Sequence, residues 1–333
     1  MRLSAFTVAD AYPEDPRAPD RLLDVVRLAR AAEEGGLSAL WLAEHHFHPG
    51  GVSPSAAVML AACGSVTHRL RLGSMVSVLP FHRPIDVAEE FATVDRLTGG
   101  RLNFGVGSGY IPLEFEGFGV DPATKRGRFD DALEIILAAF DGQEVRAGGP
   151  GAPPVRLNVL PVQRPHPPIW VAVQRREAIA HVARQGHSIA LIPYATVADR
   201  TELADEIREY RAHRPPGSSG EVAVAIHLYA GDRPELAREA FRRYLDSRLR
   251  TQSTFYQQKA AQHPAGSTPE GIERSGFAAF GAPAAIVREL REFSAIGVDE
   301  LLGIFDFGGL PEPEVRRSVV ALGKAWSDAP ARP

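Results

Sequence analysis

Four titratable side chains stand within five positions, directly behind the apolar residues 39–43. They are Glu44, His45, His46 and His48. Ionisable groups at this density are costly inside a core, but they are common where a barrel strand ends at a functional site. Histidine is also the side chain that most readily gains and loses a proton near neutral pH. We therefore predict that His45, with Glu44 beside it, handles a proton at a reacting oxygen.

The three histidines admit two other interpretations. Neighbouring residues of a strand point to opposite faces, so His45 and His46 should not share a role. His45, His46 and His48 could instead supply metal ligands, but no second acidic or histidine cluster in the sequence completes a familiar spacing. They could also be hydrogen-bonded within a loop, which is the interpretation that we favour for His48. The sequence therefore predicts no metal site.

A second candidate site is a run with glycine at alternating positions, Gly105, Gly107 and Gly109. Without side chains there, a flat ring or a phosphate group could approach the backbone closely. Ser108 lies within the run, and Tyr110 follows it either as a ring that flanks the ligand or as an ordinary aromatic side chain of the rim. The pattern lacks the further glycine of a dinucleotide-binding fingerprint and could simply break a strand. It predicts contact with a bulky ligand group.

Two further strand ends carry candidates for cofactor binding. Residues 72–80 end in small and polar side chains, which would either floor the same cavity or pack in the core. Val173, Gln174, Arg175 and Arg176 open a helix, so two guanidinium groups would lie beside free backbone N–H donors at the positive end of the helix dipole. This arrangement predicts a phosphate anchor, although arginines at helix starts are also commonly solvated.

The elements that must position these groups are short apolar strands alternating with amphipathic helices, a pattern typical of βα units around a parallel sheet. We predict strands at residues 3–8, 39–43, 70–78, 102–106, 169–173, 188–192, 222–228 and 301–305. Helices are predicted at 20–34, 54–67, 84–97, 128–140, 177–185, 197–212 and 284–296. Eight units in 333 residues favour an α/β fold of the (β/α)8 TIM-barrel type over a doubly wound sheet.

Two stretches do not fit this repeat, and we predict a single domain with insertions at these places. Residues 142–168 are rich in Gly and Pro, which predicts an excursion outside the barrel. Residues 246–282 cluster Gln, Ser and Gly without clear periodicity, which predicts a lid or binding loop. The candidate lid residues, which could equally belong to a packed helix, are Phe255, Tyr256 and Gln257.

Composition limits the classes of protein to which the chain can belong. It is 44% hydrophobic and 23% charged, which favours a large packed core over disorder. With 37 basic and 41 acidic residues the net charge is −4, so no general attraction to nucleic acid follows. The single cysteine, Cys63, lies among small apolar residues and is predicted to be a buried, inert thiol. No signal-peptide pattern or membrane-spanning run is visible, so we expect a cytoplasmic protein.

Taken together, the motifs resemble the bacterial luciferase-like monooxygenases, a flavin-dependent family that includes two-component FMNH2 oxygenases and F420-dependent relatives. Examples are Ala-Glu-His-His-Phe at 43–47 and Thr-Gly-Gly-Arg-Leu at 98–102. The resemblance covers most of the chain and runs through the segments 37–47, 71–73, 79–80, 98–107, 128–132, 165–172 and 305–309. The two insertions fall where the family carries its own.

The resemblance implies that reduced FMN lies across the mouth of the barrel, with its phosphate near the loop after the fifth strand. His45 matches the histidine that assists formation or decay of the flavin C4a-hydroperoxide in this family. The pair Met75-Val76 matches the place where family members hold a non-prolyl cis peptide against the flavin ring. The residues that the resemblance and the strand ends together assign to the cofactor are Met75, Val76, Gly107, Ser108, Gly109, Tyr110, Arg128, Val173, Gln174 and Arg175.

The sequence departs from luciferase itself at two places. Gly107 and Ser108 stand where luciferase has a cysteine and an arginine, which argues against light emission. The loop after the fifth strand has Gln174, Arg175 and Arg176 in place of small hydroxyl residues, so we expect Arg175 and Arg128 to compensate in phosphate binding.

The function that the resemblance implies is oxidation of a small organic substrate by O2 and reduced FMN, which a separate NAD(P)H:flavin reductase would supply. It also implies a homodimer. Two alternatives stay open: hydride transfer with coenzyme F420, since the same barrel serves both cofactors, and a non-catalytic flavin-binding partner subunit. The identity of the substrate does not follow from the sequence.

Overall fold

The computed structural model describes residues 1–12, 14, 20–48, 50–148, 151–251, 254–262 and 264–329. At its centre is one parallel sheet that closes on itself. Its strands are β1 (Arg2–Thr7), β2 (Ala39–Leu42), β3 (Arg71–Ser74), β4 (Ser77–Val78), β5 (Leu102–Gly107), β6 (Ile169–Val173), β7 (Ser188–Leu191), β8 (Val222–Ala230), β9 (Ala278–Gly281) and β10 (Glu300–Ile304).

Closure of the sheet is visible in the register of β1. Ala5 pairs with Leu40 of β2 on one side and with Gly303 of β10 on the other, while Gly303 also pairs with Ile226 of β8. The strands are buried along almost their whole length, because helices cover the outer face and side chains fill the interior. The predicted (β/α)8 barrel is confirmed, and all eight predicted strands are present. The additional strand β9 pairs with the end of β8 beside the barrel.

The third predicted strand is present but broken in the middle. β3 ends at Ser74, and the Met75–Val76 peptide bond that follows is cis. The short strand β4 then runs parallel to β5 and pairs with β5 alone. Gly105 makes this break possible, since a Cβ atom there would lie 1.9 Å from the Ser74 carbonyl oxygen. The Ser74 hydroxyl donates to the Gly105 carbonyl at 2.8 Å and accepts from the Gly105 N–H at 3.0 Å.

Each predicted helical stretch corresponds to a helix, with ends that differ by a few residues. The helices are α1 (Arg21–Glu34), α2 (Ala56–Gly64), α3 (Pro84–Leu97), α4 (Pro112–Phe118), α5 (Lys125–Phe140), α6 (Arg176–Arg184), α7 (Pro193–Thr196), α8 (Arg200–His213), α9 (Pro234–Thr251), α10 (Thr254–Gln262), α11 (Pro269–Arg274), α12 (Pro283–Leu290) and α13 (Glu312–Asp328). Local signals set several starts: proline opens α3, α4 and α12, and Asp199 caps α8 through the N–H groups of Thr201 and Glu202.

The first predicted insertion, residues 142–168, contains one isolated antiparallel bridge, between Val145 and Val155. Its return limb is tied to α3, because the buried Asp95 carboxylate accepts the N–H groups of Val162 at 2.7 Å and Gln163 at 3.0 Å. The excursion is therefore anchored where it rejoins the barrel.

The second predicted insertion, residues 246–282, contains the end of α9, then α10, α11 and β9. Gln257 lies in α10 with an exposed side chain that donates to the Leu249 carbonyl at 2.8 Å. The side chains of Phe255 and Tyr256 lie outside the described residues. In the described part of the chain, none of the helices is long and apolar enough to cross a membrane.

Candidate active site

A cavity of about 430 Å³ opens at the carboxyl ends of the barrel strands. The predicted site residues that line it are Glu44, His45, Met75, Val76, Gly107, Ser108, Gly109, Tyr110, Val173, Gln174 and Arg175. Arg128 is the exception. Its side chain is exposed, does not line the cavity and donates to the Pro80 carbonyl at 3.3 Å. Residues from separate strands thus converge on one place, as the barrel geometry requires.

His45 reaches the cavity through the alternation of β2. Ala43 and His45 both line the cavity, and Trp41 lies deeper in the barrel, where its indole N–H donates to Glu300 at 2.8 Å. His46 turns away and contacts the ring of Phe118 at 4.7 Å between centroids. The two adjacent histidines therefore face different surroundings, as the strand pattern predicts.

Glu114, in the first turn of α4, is the partner of His45. Its Oε1 lies 3.0 Å from His45 Nδ1, 3.2 Å from His48 Nε2 and 3.0 Å from the His46 backbone N–H. Burial acts to raise the pKa of Glu114, but hydrogen bonds from His45 and His48 prevail and hold it at about 2. Glu114 is therefore ionised and accepts all three bonds.

The pKa of His45 is lowered, mainly by burial, with Glu114 opposing the shift only in part. A neutral imidazole at neutral pH that donates from Nδ1 to Glu114 leaves Nε2 as its basic atom. Within the part of the chain that the structure describes, no hydrogen bond occupies Nε2. The side chain lines the cavity, so it can accept or return a proton there.

The histidines do not converge on a single metal-binding point. Glu44 Oε1 accepts from His46 Nε2 at 3.1 Å and His82 Nε2 at 2.7 Å, so His46 belongs to a different cluster from His45 and His48. Each cluster places one carboxylate and two imidazoles within 4.8 Å of one another. Hydrogen bonding within each cluster accounts for its geometry: the pKa of Glu44 is lowered, because these bonds outweigh its burial.

The glycine run lines the cavity at Gly107 and Gly109 and also makes room for the backbone of the third strand. A Cβ atom on Gly107 would lie 2.5 Å from the Val76 side chain, so this glycine admits the Met75–Val76 bend. Gly109 has a φ of 76° and lines the cavity beside Tyr110. The cis Met75–Val76 bond lies where the resemblance implies it, at the cavity wall.

A cationic group closes the end of the cavity near β6. Arg175 precedes α6 and lines the cavity, whereas Arg176 turns to solvent and pairs with Glu209 at 2.9 Å. Lys125 and Arg126 at the start of α5 also line the cavity. Burial and the nearby charge of Arg175 lower the pKa of Lys125, whose Nζ donates to the Gly109 carbonyl at 3.1 Å.

The opposite wall carries Tyr194, Tyr244 and Arg248. The two tyrosine hydroxyls are 2.9 Å apart, and the Arg248 guanidinium lies 4.8 Å from the Tyr244 ring centroid. Arg248 is only 2% exposed, and neither of its terminal nitrogens has a hydrogen-bond partner among the described residues. Tyr244 and Arg248 are four residues apart on α9, a spacing that places them on one face.

Six polar or charged residues of the cavity lining were not predicted from the sequence: Glu114, Lys125, Arg126, Tyr194, Tyr244 and Arg248. Glu114 lies 69 residues from His45, and no periodic pattern links the two. Two sequence signals could have pointed to these residues. Glu114 lies two residues after Pro112, which starts a helix, and Tyr244 and Arg248 have the four-residue spacing of one helix face.

A closed barrel with a partly enclosed cavity at the carboxyl ends of its strands, lined by apolar and charged side chains, has the architecture of a barrel enzyme. The family model of the luciferase-like monooxygenases matches residues 1–300. The chain belongs to this family.

Individual relatives agree with the family match. The protein y4wF of Sinorhizobium fredii is 34% identical over 73% of each chain. The oxygenase component of a flavin-dependent trigonelline monooxygenase from Acinetobacter baylyi is 24% identical and covers 92% of this chain and 90% of its own. The oxygenating constituent of 3,6-diketocamphane monooxygenase from Pseudomonas putida, a type II Baeyer-Villiger enzyme solved with FMN, has a TM-score of 0.80 over 100% of both chains at 16% identity. This last comparison is a likeness of fold.

Proposed function

We propose that the chain is an FMNH2-dependent monooxygenase that oxidises a small organic molecule with O2. The observation that carries the proposal is a single cavity with three cationic side chains at one end and His45 on its wall. An apolar floor, with Met75, Val76 and Val173 among its residues, suits a flat ring, and the cationic end suits a phosphate. The residues present therefore fit FMN.

Reduced FMN would supply the electrons that activate O2. Arg175, Lys125 and Arg126 would bind its phosphate, and Gly107 and the Met75–Val76 bend would border its ring. His45 would accept or donate a proton through Nε2, while Glu114 holds the imidazole in the required orientation. The walls of the barrel would exclude water from the reacting atoms.

The chain would receive FMNH2 from a separate NAD(P)H:flavin reductase. The trigonelline enzyme of Acinetobacter baylyi is an oxygenase component, which supports a system of more than one protein.

We also propose that two copies of the chain form a homodimer. Val58 on α2 and Leu97 on α3 are 66% and 69% exposed, which supports contact through these helices. Light scattering of the purified chain tests this, with Val58→Asp expected to favour the monomer.

Anaerobic titration of the purified chain with FMNH2, reduced riboflavin and reduced F420 tests the function. We expect FMNH2 to bind about ten-fold more tightly than reduced riboflavin, because only FMN carries a phosphate. After O2 is admitted, H2O2 should leave the loaded protein more slowly than it forms from free FMNH2. Tight F420 binding without O2 consumption would favour hydride transfer instead. A chain that reacts only after a second subunit is added would be a partner subunit.

A further inference from the structure

We propose that Arg248 binds a carboxylate group of the substrate, at the wall of the cavity opposite the cationic end. The inference rests on the proposed function and names the substrate class that the same cavity would take. Its basis is a buried guanidinium whose two terminal nitrogens have no hydrogen-bond partner in the described part of the chain.

The arginine lies in the last turn of α9 and lines the cavity. Groups that face it are the tyrosines Tyr12, Tyr110, Tyr194 and Tyr244, together with His45, His227 and Asp10. Burial lowers the pKa of His227 far below its usual value, so this ring is neutral.

Asp10 is the one carboxylate in this group, and other residues already engage it. Tyr12 donates to its Oδ2 at 2.6 Å and the Gly308 N–H donates to the same oxygen at 3.0 Å. Arg21 lies 3.5 Å from its Oδ1. Among the described residues, none forms an ion pair with Arg248 within 4.0 Å. Among the residues that the structure describes, the guanidinium is thus a buried cation without a counter-ion within ion-pair distance.

An unpaired buried cation destabilises a folded chain, and a protein tolerates it where a ligand supplies the missing anion. The two terminal nitrogens, both without partners, can donate side by side to the two oxygens of a carboxylate. The rings of Tyr110, Tyr194 and Tyr244 line the same cavity and offer flat apolar surface. We infer a small unsaturated or aromatic carboxylate as the occupant, oriented in the cavity that His45 also lines.

The test compares carboxylates with their uncharged amides, in three pairs: acetate and acetamide, hexanoate and hexanamide, and benzoate and benzamide. Calorimetric titration uses the full chain with and without FMN. We expect benzoate to bind at least about ten-fold more tightly than benzamide in wild type. Arg248→Gln should abolish this preference. Arg248→Lys should retain part of it, because lysine keeps the charge but lacks the two terminal nitrogens that donate side by side.

Arg250→Gln is the matched control, since Arg250 lies on the same helix with an exposed side chain. Circular dichroism and FMN affinity that match wild type would show that the Arg248 variants fold. No preference for the anion in any of the three pairs would overturn the proposal, as would unchanged benzoate affinity in Arg248→Gln. Loss of FMN binding in Arg248→Gln would overturn it too, by assigning the guanidinium to the cofactor. If wild type fails to bind FMN, the proposed function fails, while the carboxylate preference of the free chain still tests Arg248.

Discussion

The proposed proton transfer in the cavity would depend on two residues that lie far apart in the sequence, His45 and Glu114. His45 alone would be a buried neutral imidazole with two possible tautomers. Glu114, ionised because three donors converge on its Oε1, selects the tautomer that carries hydrogen on Nδ1. Nε2 is then the basic atom on the side that lines the cavity. Glu114 is accordingly a positioning residue, and His45 is the candidate for contact with reacting atoms.

We predict that His45→Ala slows H2O2 release from the FMNH2-loaded protein by roughly 100-fold, because proton transfer by a positioned group contributes on that order. In wild type the release rate should also change as the pH falls through the lowered pKa of His45. The variant should lose this dependence. Stopped-flow measurement of O2 uptake and H2O2 release between pH 5 and 8 checks both, with the exposed His68→Ala as control. An unchanged rate and pH profile would remove His45 from the mechanism.

Arg175 and Arg128 form a natural comparison, since both are expected from the sequence to contact the phosphate and only Arg175 lines the cavity. We predict that Arg175→Gln weakens FMNH2 binding about ten-fold, the loss of one charge-assisted contact. Reduced riboflavin should bind the variant as it binds wild type. Arg128→Gln should leave both affinities unchanged. The reverse pattern in anaerobic titrations would place the phosphate beside Arg128 and Pro80 instead.

At the scale of elements, periodicity predicts the barrel because each βα unit carries its own local signal. Residues 39–43 and 102–106 are apolar runs with turns behind them, and α3 begins at its proline and ends where its apolar stripe ends. The ends of strands therefore place Glu44, His45 and the glycine run in one cavity. The residues of the opposite wall cannot be predicted from such local sequence patterns. Arg248 lines the cavity because α9 packs against β8 and β9, a tertiary contact that no local pattern predicts.

The break between β3 and β4 depends on Gly105. We predict that Gly105→Ala lowers the free energy of unfolding by about 3 kcal/mol, since its Cβ would lie 1.9 Å from backbone that cannot move without disturbing β3. Gly127→Ala is the matched control, because Gly127 lies in α5 with open space around it. Alanine there should stabilise the chain by about 0.5–1 kcal/mol. Urea unfolding followed by circular dichroism measures both. Equal effects of the two substitutions would refute the steric account.

At the scale of the whole molecule, the cavity lining carries a positive net charge, whereas the chain as a whole carries a negative one. The net charge is −4, yet the cavity lining holds Lys125, Arg126, Arg175 and Arg248 against the carboxylates Glu44 and Glu114. Each of these carboxylates accepts hydrogen bonds from two histidines. Positive potential is thus focused inside a low-dielectric cleft, which attracts anionic ligands. Both proposed anionic groups, the phosphate of FMN and the carboxylate of a substrate, fit this field.

We predict that ionisation of Glu206 on α8 contributes to the pH dependence of global stability. Burial, with Glu202 adding to it, raises the pKa of this carboxyl from 4.5 to about 7. The folded state therefore holds the proton more tightly than the unfolded chain, so stability is lost as the pH rises from 4.5 through 7. Glu206→Gln removes the ionisation, and we expect it to raise Tm by roughly 2–5 °C at pH 8 and by little at pH 4.5. Scanning calorimetry at both pH values measures the difference, with the exposed Glu116→Gln expected to change neither. A gain of equal size at both pH values would show that packing, and not the buried charge, accounts for the effect.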